Sequence, residues 1–311
     1  MGNGRGVVKR DQCVSASMQA SAEVERVAVE AVAVSPDAAA DLRPLLERDG
    51  VLRLKTDSFQ LTDDDHGLAT GLWGDGRSKN ASYNPRTGRI DGVVAAGPAF
   101  EKLRGLMARY AVWATDLVAR YFPDYREHLE MGRTSLRRRS VESNPLSRRK
   151  DDRSLHVDAF TSQPVAGRRI FRVFSNIDPS GAARDWAIGE GGFEAYAQRF
   201  LKRSRRLMPG EAVLLERLSL TKTRRTDYDQ IMLCMHDAAK GDADYQRMAP
   251  RQTISFPAGA TWVAFTDQSP HAAIKGNCAL EQTFYLPVEA LFDPGASPLR
   301  VLERLCGTAL V

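Results

Sequence analysis

Leu155-His156-Val157-Asp158-Ala159-Phe160 is the stretch of sequence that decides the fold. On an extended strand, residues i and i+2 point to the same face, so the imidazole of His156 and the carboxylate of Asp158 converge on one point. A strand that packs its side chains into an apolar core would not place an imidazole and a carboxylate on its buried face, because burying polar groups without partners is unfavourable. Two imidazoles and one carboxylate occupy one triangular face of an octahedral iron and leave three positions open. A lone His-x-Asp pair is common by chance, so this hypothesis requires a second imidazole from a distant part of the chain.

The second imidazole is predicted to be His271. It follows a predicted strand over residues 261–266 and the polar run Asp267-Gln268-Ser269-Pro270. In a small antiparallel barrel, this order places His271 at the start of the next strand, where it can reach back to the face that holds His156 and Asp158. The other histidines fall in helical or loop sequence and are interpreted as structural: His66, His128 and His236.

The bulk composition indicates an ordinary globular protein, with 43% hydrophobic and 27% charged residues among 311. The four cysteines are scattered without a CxxC pair, which excludes a disulfide framework or a zinc site and predicts a reducing compartment. The start of the chain has no apolar secretory segment, and four charges interrupt the Ala/Val-rich residues 14–34. We therefore expect a cytoplasmic protein without a membrane span.

The positive charge is concentrated in one segment. The chain carries a formal net charge of +5, and residues 132–153 hold eight basic residues against three acidic ones, which accounts for the whole excess. Such a cluster directly before the metal candidates indicates an anionic partner near the site. The alternative is a solvated basic loop. A second basic run at residues 199–206 is interpreted as solvated surface or as a contact with an anionic membrane leaflet.

Periodicity predicts an α+β fold in one domain. Residues 1–35 are poorly specified, and residues 36–311 form a single domain with a β-rich core at about 132–287 and flanking helices. Predicted helices cover residues 36–47, 98–122, 193–207 and 227–246. Residues 62–97 are a loop-type stretch, and the predicted strands are 51–54, 134–139, 155–160, 169–177, 213–215, 251–256, 261–266 and 281–286.

The ordered pattern around His156, Asp158 and His271 resembles the Fe(II)/2-oxoglutarate-dependent oxygenases of the double-stranded β-helix (jelly-roll, cupin-like) fold. Within that superfamily, it is similar to the bacterial Kdo hydroxylases, which add a hydroxyl to the third carbon of a Kdo (3-deoxy-D-manno-oct-2-ulosonic acid) sugar in the lipid A inner core. The similar stretches are Lys79-Asn80-Ala81-Ser82-Tyr83, residues 155–160, residues 169–177, His236-Asp237 with Lys240 and Asp242, and residues 262–272.

The resemblance implies that His156, Asp158 and His271 ligate Fe(II) and carry catalysis, with 2-oxoglutarate and dioxygen as cosubstrates. Oxidative decarboxylation of 2-oxoglutarate would then give succinate and CO2. It further implies Kdo-lipid A as substrate and peripheral association with the cytoplasmic face of the inner membrane. Oxygen and nitrogen ligands suit high-spin Fe(II).

The sequence departs from the superfamily pattern at the residue that would hold the far carboxylate of 2-oxoglutarate. Many relatives use an Arg about ten residues beyond the distal His, whereas no Arg occurs here between His271 and Arg300 and the neighbourhood holds Gln282. Some relatives use a basic residue on the strand after His-x-Asp. Alternation places Arg169 and Arg172 on opposite faces of that strand, and a mid-strand Arg needs a partner. We predict Arg172, with Arg169 and Lys275 as alternatives.

Substrate contacts are predicted from the basic segment and the polar loop. Arg133, Arg137 and Arg139 alternate along a strand, and guanidinium groups suit the carboxylate of Kdo and the phosphates of lipid A. Asn80, Ser82 and Tyr83 either bind sugar hydroxyls or form a hydrogen-bonded loop. Trp186 either walls the pocket or packs at an edge.

Two other functions remain open. The same oxygenase chemistry on another anionic small molecule would keep the triad but remove the role of the 132–153 segment. A basic binding protein for nucleic acid or a membrane surface would make the triad structural. The sequence has no recognised nucleic-acid module and no Arg/aromatic interleaving, so no nucleic-acid partner is expected. The oligomeric state is not predicted.

Overall fold

The computed structural model describes residues 1, 41–48, 50–70, 78, 80–94, 96–137, 141 and 151–311. Residues 2–35 of the predicted N-terminal segment, the start of the helix predicted from residue 36, and Arg139 lie outside the described residues.

The described residues form eight α-helices, four 3-10 helices and ten strands. The α-helices are α1 (Arg43–Glu47), α2 (Asp63–Thr70), α3 (Pro98–Tyr121), α4 (Gly192–Phe200), α5 (Glu211–Arg217), α6 (Asp227–Gly241), α7 (Ala243–Met248) and α8 (Pro298–Cys306). Short 3-10 helices cover Pro123–His128, Leu201–Arg203, Val288–Ala290 and Pro294–Ala296. The strands are β1 (Val51–Leu54), β2 (Ala81–Tyr83), β3 (Ile90–Asp91), β4 (Glu130–Arg137), β5 (Arg169–Asn176), β6 (Arg184–Gly189), β7 (Arg251–Phe256), β8 (Thr261–Phe265), β9 (His271–Lys275) and β10 (Ala279–Leu286).

The strands form two antiparallel sheets that pack against each other. The larger sheet has the order β1-β8-β5-β10-β4-β2-β3, and the smaller has the order β7-β6-β9. An apolar cluster drawn from both sheets joins them, and within it the rings of Phe256 and Trp262 stack at 4.0 Å between centroids. Its buried members are Val51, Phe174, Trp186, Phe256, Ala260, Trp262, Ala264 and Ala273. The predicted α+β class with antiparallel strands is confirmed.

Helix α3 covers the outer face of the larger sheet. Its buried residues recur at three- and four-residue steps, as an amphipathic helix requires, and they include Leu103, Leu106 and Tyr110. The hydroxyl of Tyr110 donates to the backbone oxygen of Val173 on β5 at 3.2 Å. The predicted helix over residues 98–122 is thus confirmed to within one residue. With α3 on one face of this sheet, the space between the sheets is left for the site.

The predicted strand over residues 155–160 is wrong as a regular strand. It pairs at one bridge, where the N–H of His156 donates to the oxygen of His271 (3.1 Å) and the N–H of His271 donates back (2.9 Å). On either side the backbone turns to other partners: the N–H of Leu155 donates to the side chain of Gln246 (2.8 Å), and that of Asp158 donates to the oxygen of Thr266 (2.7 Å). This divergence prevents a ladder but keeps the two histidines opposite each other.

Other predicted boundaries also differ. Residues 213–215 lie in helix α5, since three successive apolar residues do not distinguish a strand from a helix. The predicted helix 227–246 is two helices, because the Asp242 carboxylate caps α7 by accepting from the N–H of Tyr245 at 2.8 Å. Residues 62–97 contain α2, β2 and β3, and strand β6 was not predicted. In the described part of the chain, no helix combines the length and the apolar character needed to cross a bilayer.

Arg169 anchors the turn that leads to His271. Its side chain is 1% exposed, its Nε lies 2.8 Å from Oδ2 of Asp267, and its Nη2 donates to Oε1 of Gln268 at 2.5 Å. The guanidinium also lies over the ring of Phe265, 3.9 Å from its centroid. Because Asp267 and Gln268 lie four and three residues before His271, this buried ion pair fixes the turn that leads to the histidine.

We expect Arg169→Ala to lower the free energy of unfolding by about 3–5 kcal/mol, since it leaves the Asp267 carboxylate buried without its cation. Urea denaturation followed by circular dichroism measures this loss. Arg168→Ala is the matched control: Arg168 pairs with Glu130, whose side chain is 58% exposed, so its loss should cost at most about 1 kcal/mol. Equal losses in the two variants would contradict an anchoring role for the buried pair.

Candidate active site

Two histidines and an aspartate converge between the sheets. His156, Asp158 and His271 each offer a ligand atom, and these atoms lie within 4.8 Å of one another. Nε2 of His156 is 3.8 Å from Oδ1 of Asp158. The structure therefore brings together the three side chains that the sequence analysis proposed as a metal site, and it does so through the backbone bridge between the two histidines.

Backbone carbonyls set the tautomer of both imidazoles. Nδ1 of His156 lies 2.7 Å from the oxygen of Ser154, and Nδ1 of His271 lies 2.9 Å from the oxygen of Ser269. A carbonyl oxygen can only accept, so each Nδ1 carries the hydrogen, and Nε2 of the neutral ring is left with its lone pair. Imidazole ligands of metals are typically oriented by such a bond from the other ring nitrogen.

The protonation states also suit a divalent cation. Burial lowers the pKa of His156 well below its ordinary value, with repulsion from His271 acting in the same direction, and burial likewise lowers the pKa of His271. Burial alone would raise the pKa of Asp158, but Arg172 and the two imidazoles hold it below its usual range. At neutral pH the site thus offers two neutral imidazoles and one carboxylate, the forms that ligate metals.

An orphaned atom in the triad supports this fit. Oδ2 of Asp158 is buried and has no hydrogen-bond partner within the part of the chain that the structure describes, although Arg172 lies nearby as its counter-ion. The donor set of two nitrogens and a carboxylate, without sulfur, suits Fe(II) with positions left open for substrates. The residues present therefore fit a ferrous ion.

Arg172 faces the triad, on the side of β5 opposite to Arg169, but protein carboxylates already hold it. Its Nη2 lies 3.2 Å from Oδ2 of Asp158, and its Nη1 lies 2.8 Å from Oε1 of Glu281. Glu281 in turn pairs with Arg137 (2.7 Å), which pairs with Asp152 (2.6 Å). These alternating charges fix the orientation of the Asp158 carboxylate.

A second buried arginine, Arg184, was missed by the sequence analysis. It begins strand β6, is 3% exposed, and lines a small recess together with the triad and Trp186. Its guanidinium donates from Nη1 to the oxygen of Asn277 at 3.5 Å, and among the described residues no carboxylate forms an ion pair with it. Burial, followed by repulsion from Arg137, lowers its pKa to about 10, so it remains a cation at neutral pH.

Gly276 makes room for the stem of Arg184. Its φ of +120° is unfavourable for residues with a side chain, and a Cβ placed there would lie 2.8 Å from Cγ of Arg184. Trp186 lies two residues after Arg184 on β6 and stacks on the ring of His271, with centroids 5.1 Å apart and an angle of 20° between the ring planes. Trp186 therefore forms part of the wall behind the triad.

A larger cavity of about 650 Å³ opens on the other side of the triad. Its cations are Arg133, Arg172, Lys222 and Lys240. Further side chains on its wall are Ser82, Asp91, Ser135, Asp152, His156, Asp158, Phe160, Gln163, His236, Glu281, Thr283 and Tyr285. Of the residues predicted to contact substrate, Ser82 and Arg133 line this cavity, while Arg137 lines the smaller recess.

His236 and Lys240 are cavity residues that were not predicted. The ring of His236 meets that of His156 edge-on, with centroids 5.2 Å apart. His236 and Lys240 are four residues apart on α6, so they share one face of the helix. This four-residue spacing could have indicated that both side chains face the same site. The sequence analysis instead interpreted His236 as structural, because it lies in apolar helical sequence.

Other predicted binding residues lie away from the cavity, which corrects that part of the prediction. Arg169 is held by Asp267 on the opposite face of β5. Gln282 is fully buried and accepts from the hydroxyl of Thr134 at 2.5 Å, because Glu281 and Thr283 take the cavity face of β10. Tyr83 is 7% exposed and packs in the apolar cluster under α3. Asn80 is partly exposed outside the lining residues, and Lys275 is exposed.

Comparison with known proteins finds a family and a solved fold. A family model described as 3-deoxy-D-manno-oct-2-ulosonic acid (Kdo) hydroxylase matches residues 29–309. The sequence has no match among curated proteins.

Crystal structures of the Kdo hydroxylase KdoO, a non-heme Fe(II) alphaketoglutarate-dependent dioxygenase, are similar to this fold. The complex with alphaketoglutarate and Fe(III) is 39% identical with a TM-score of 0.85, and it covers 91% of this chain and 97% of that chain. The complex with succinate and Fe(III) has the same values, and the complex with cobalt(II) has a TM-score of 0.86 at the same identity and coverage.

Proposed function

We propose, since this chain belongs to the Kdo hydroxylase family, that it hydroxylates the third carbon of a Kdo sugar in Kdo-lipid A. Membership of this family is the basis for assigning oxygenase chemistry, which uses Fe(II), 2-oxoglutarate and dioxygen. The observation in the molecule that supports the proposal most is the triad of His156, Asp158 and His271 at the junction of a small recess and a large cationic cavity.

The triad would hold Fe(II) through Nε2 of His156, Nε2 of His271 and the carboxylate of Asp158. Bound iron and 2-oxoglutarate supply the oxidation, in which dioxygen is consumed, 2-oxoglutarate becomes succinate and CO2, and a C–H bond gains an oxygen. Three protein ligands leave half of an octahedral coordination sphere for cosubstrates. Arg172 acts as a positioning residue, because it pairs with Asp158 and limits the rotation of its carboxylate.

Arg184, rather than Arg172, would hold the far carboxylate of 2-oxoglutarate. A buried carboxylate is costly without a cationic partner, and a buried cation is equally costly without an anion. Arg172 is already neutralised by Asp158 and Glu281, whereas Arg184 has no ion-pair partner among the described carboxylates. Arg184 also shares its recess with all three members of the triad.

The sugar would lie in the larger cavity. A volume of about 650 Å³ falls in the range typical of small-molecule sites, and the carboxylate of Kdo and a lipid A phosphate are both anionic. Arg133, Lys222 and Lys240 supply positive charge around it, and Ser82 offers a hydroxyl for a sugar. His236 borders His156 and would limit how the sugar approaches the metal.

The remaining proposals concern architecture and location. The two facing sheets would form a double-stranded β-helix (jelly-roll) core at about 132–287, within a single oxygenase domain over residues 36–311. Among the described residues, Cys234 and Cys306 are free thiols, which supports a reducing compartment on the cytoplasmic side of the inner membrane. A lipid-linked substrate would require peripheral contact with that membrane.

Incubation with Kdo-lipid A, Fe(II), 2-oxoglutarate and air tests the function. We expect mass spectrometry to show one added oxygen in the Kdo portion and one succinate per hydroxylated sugar, and neither product when 2-oxoglutarate is omitted. If Kdo-lipid A is unchanged while another anionic small molecule gains the oxygen, the alternative substrate assignment is correct instead.

A further inference from the structure

An exposed segment beside the cavity combines aliphatic and basic side chains. We propose that residues 202–225, here called the docking segment, bind the surface of an anionic phospholipid bilayer and thereby hold the cavity mouth at the level of the lipid headgroups. This inference rests on the proposed function, because it explains how the cavity meets a sugar that is attached to a membrane-embedded lipid.

The docking segment exposes large aliphatic side chains that the protein does not cover. Met208, Leu214, Leu218 and Leu220 are 64%, 58%, 59% and 55% exposed. None of the seven residues of α5 is fully buried, although the helix contains the run Val213-Leu214-Leu215. Single exposed apolar residues are ordinary, but a group of them along one segment marks an interaction site.

The same segment is strongly cationic. It contains eight Lys and Arg residues against two Glu, with Arg205 paired to Glu211 and Arg224 to Glu216. Arg203 and Arg206 pair with Asp242 and Asp227 outside the segment, so eight cations face four carboxylates and the segment keeps a positive excess. Aliphatic side chains surrounded by Lys and Arg are typical of elements that lie in the interface of an anionic bilayer.

The chemistry of the segment favours a bilayer over nucleic acid. Residues 202–225 contain no Phe, Tyr or Trp, whereas proteins that bind single-stranded nucleic acid stack bases on aromatic rings. Leucine and methionine instead partition into the acyl boundary of a lipid leaflet, while neighbouring basic groups contact lipid phosphates.

Hydrogen bonds connect the docking segment to the rim of the cavity. The N–H of Lys222 donates to the oxygen of Ser162 at 2.9 Å, and Nζ of Lys222 donates to Oε1 of Gln163 at 3.2 Å. Arg225 donates to the oxygen of Thr161. Of these five residues, all but Arg225 line the large cavity. A membrane that contacts the segment therefore lies next to the mouth, where a headgroup sugar can enter.

Vesicle flotation of the full chain tests the proposal, with vesicles of phosphatidylethanolamine and phosphatidylglycerol compared with pure phosphatidylcholine. We expect binding to the anionic vesicles only. The double variant Leu214→Ser, Leu218→Ser should lose about tenfold in partition coefficient for each leucine, because each buries apolar surface in the bilayer. The matched control is Val112→Ser, Phe292→Ser, at positions that are 61% and 56% exposed on other surfaces, and it should bind like the unmodified chain.

Activity separates this inference from the function on which it rests. The leucine variant should hydroxylate a water-soluble deacylated Kdo oligosaccharide at the unmodified rate and lose rate on Kdo-lipid A in vesicles. The proposal is overturned if the unmodified chain does not bind anionic vesicles, if the leucine variant binds them as well as the control does, or if the leucines affect self-association alone. If the protein binds anionic vesicles but hydroxylates no Kdo acceptor, the proposal for the docking segment is supported and the proposed function is refuted.

Discussion

Asp158→Ala is expected to abolish iron binding and 2-oxoglutarate turnover together. The variant removes the one carboxylate of the triad and leaves two neutral imidazoles, which cannot balance the charge of a divalent cation. It also removes one of the two counter-ions of Arg172, whose Nη2 lies 3.2 Å from Oδ2 of Asp158, and leaves Glu281 as its remaining partner. Loss of a partner in the outer shell of a metal site already costs about 10–100-fold in affinity, so loss of the ligand should exceed about 100-fold.

Two measurements check this result independently of each other. Anaerobic titration with Fe(II) in the presence of 2-oxoglutarate should give the visible absorption of the chelate in the unmodified protein and not in the variant. Added Co(II) should raise the Tm of the unmodified protein and leave that of the variant unchanged, because a ligand stabilises the state that it binds. Asp151→Ala, which breaks the partly exposed pair with Arg153, is the matched control and should behave like the unmodified chain. Retained turnover in Asp158→Ala would refute the metal site and favour a structural role for the triad.

The triad could be predicted because each part depends on local order. The i, i+2 spacing brings His156 and Asp158 together, and the strand, turn and histidine before β9 place His271 at a strand start. The error over residues 155–160 did not matter, since one bridge suffices to set the two histidines opposite each other. What the local pattern does not contain is the departure of Leu155 toward Gln246, a residue 91 positions away.

The cosubstrate site could not be predicted in the same way. Alternation placed Arg169 and Arg172 on opposite faces of β5, but the sequence does not show that Glu281, from a strand more than a hundred residues later, would pair with Arg172. The sequence did not identify Arg184 as a candidate, because the strand that contains it, β6, lacks a regular alternation of polar and apolar residues and was not predicted. Burial and partners decide which arginine remains available, and both are properties of the tertiary structure.

Arg184→Met is expected to raise the KM for 2-oxoglutarate by about 100-fold or more, which corresponds to about 3 kcal/mol for a buried charge left unpaired. The substitution keeps an unbranched apolar stem but removes the guanidinium, so Gly276 should still accommodate it. Iron binding should remain close to that of the unmodified protein, because Arg184 forms no ion pair with Asp158. Initial rates of succinate formation over a series of 2-oxoglutarate concentrations measure the KM, and the Co(II)-induced change in Tm measures metal binding.

Arg172→Met separates the two arginines, since the geometry gives them different roles. Arg172 pairs with Asp158 and Glu281, so its loss should weaken metal binding by about 10–100-fold, and the Co(II)-induced rise in Tm should shrink accordingly. At saturating iron, its KM for 2-oxoglutarate should change less than that of Arg184→Met. The reverse pattern, a large KM effect confined to Arg172→Met with Arg184→Met unchanged, would return the far carboxylate to Arg172. The structure favours Arg184 because it is a buried cation with no ion-pair partner among the described residues, and an incoming dianion would offset the cost of its burial.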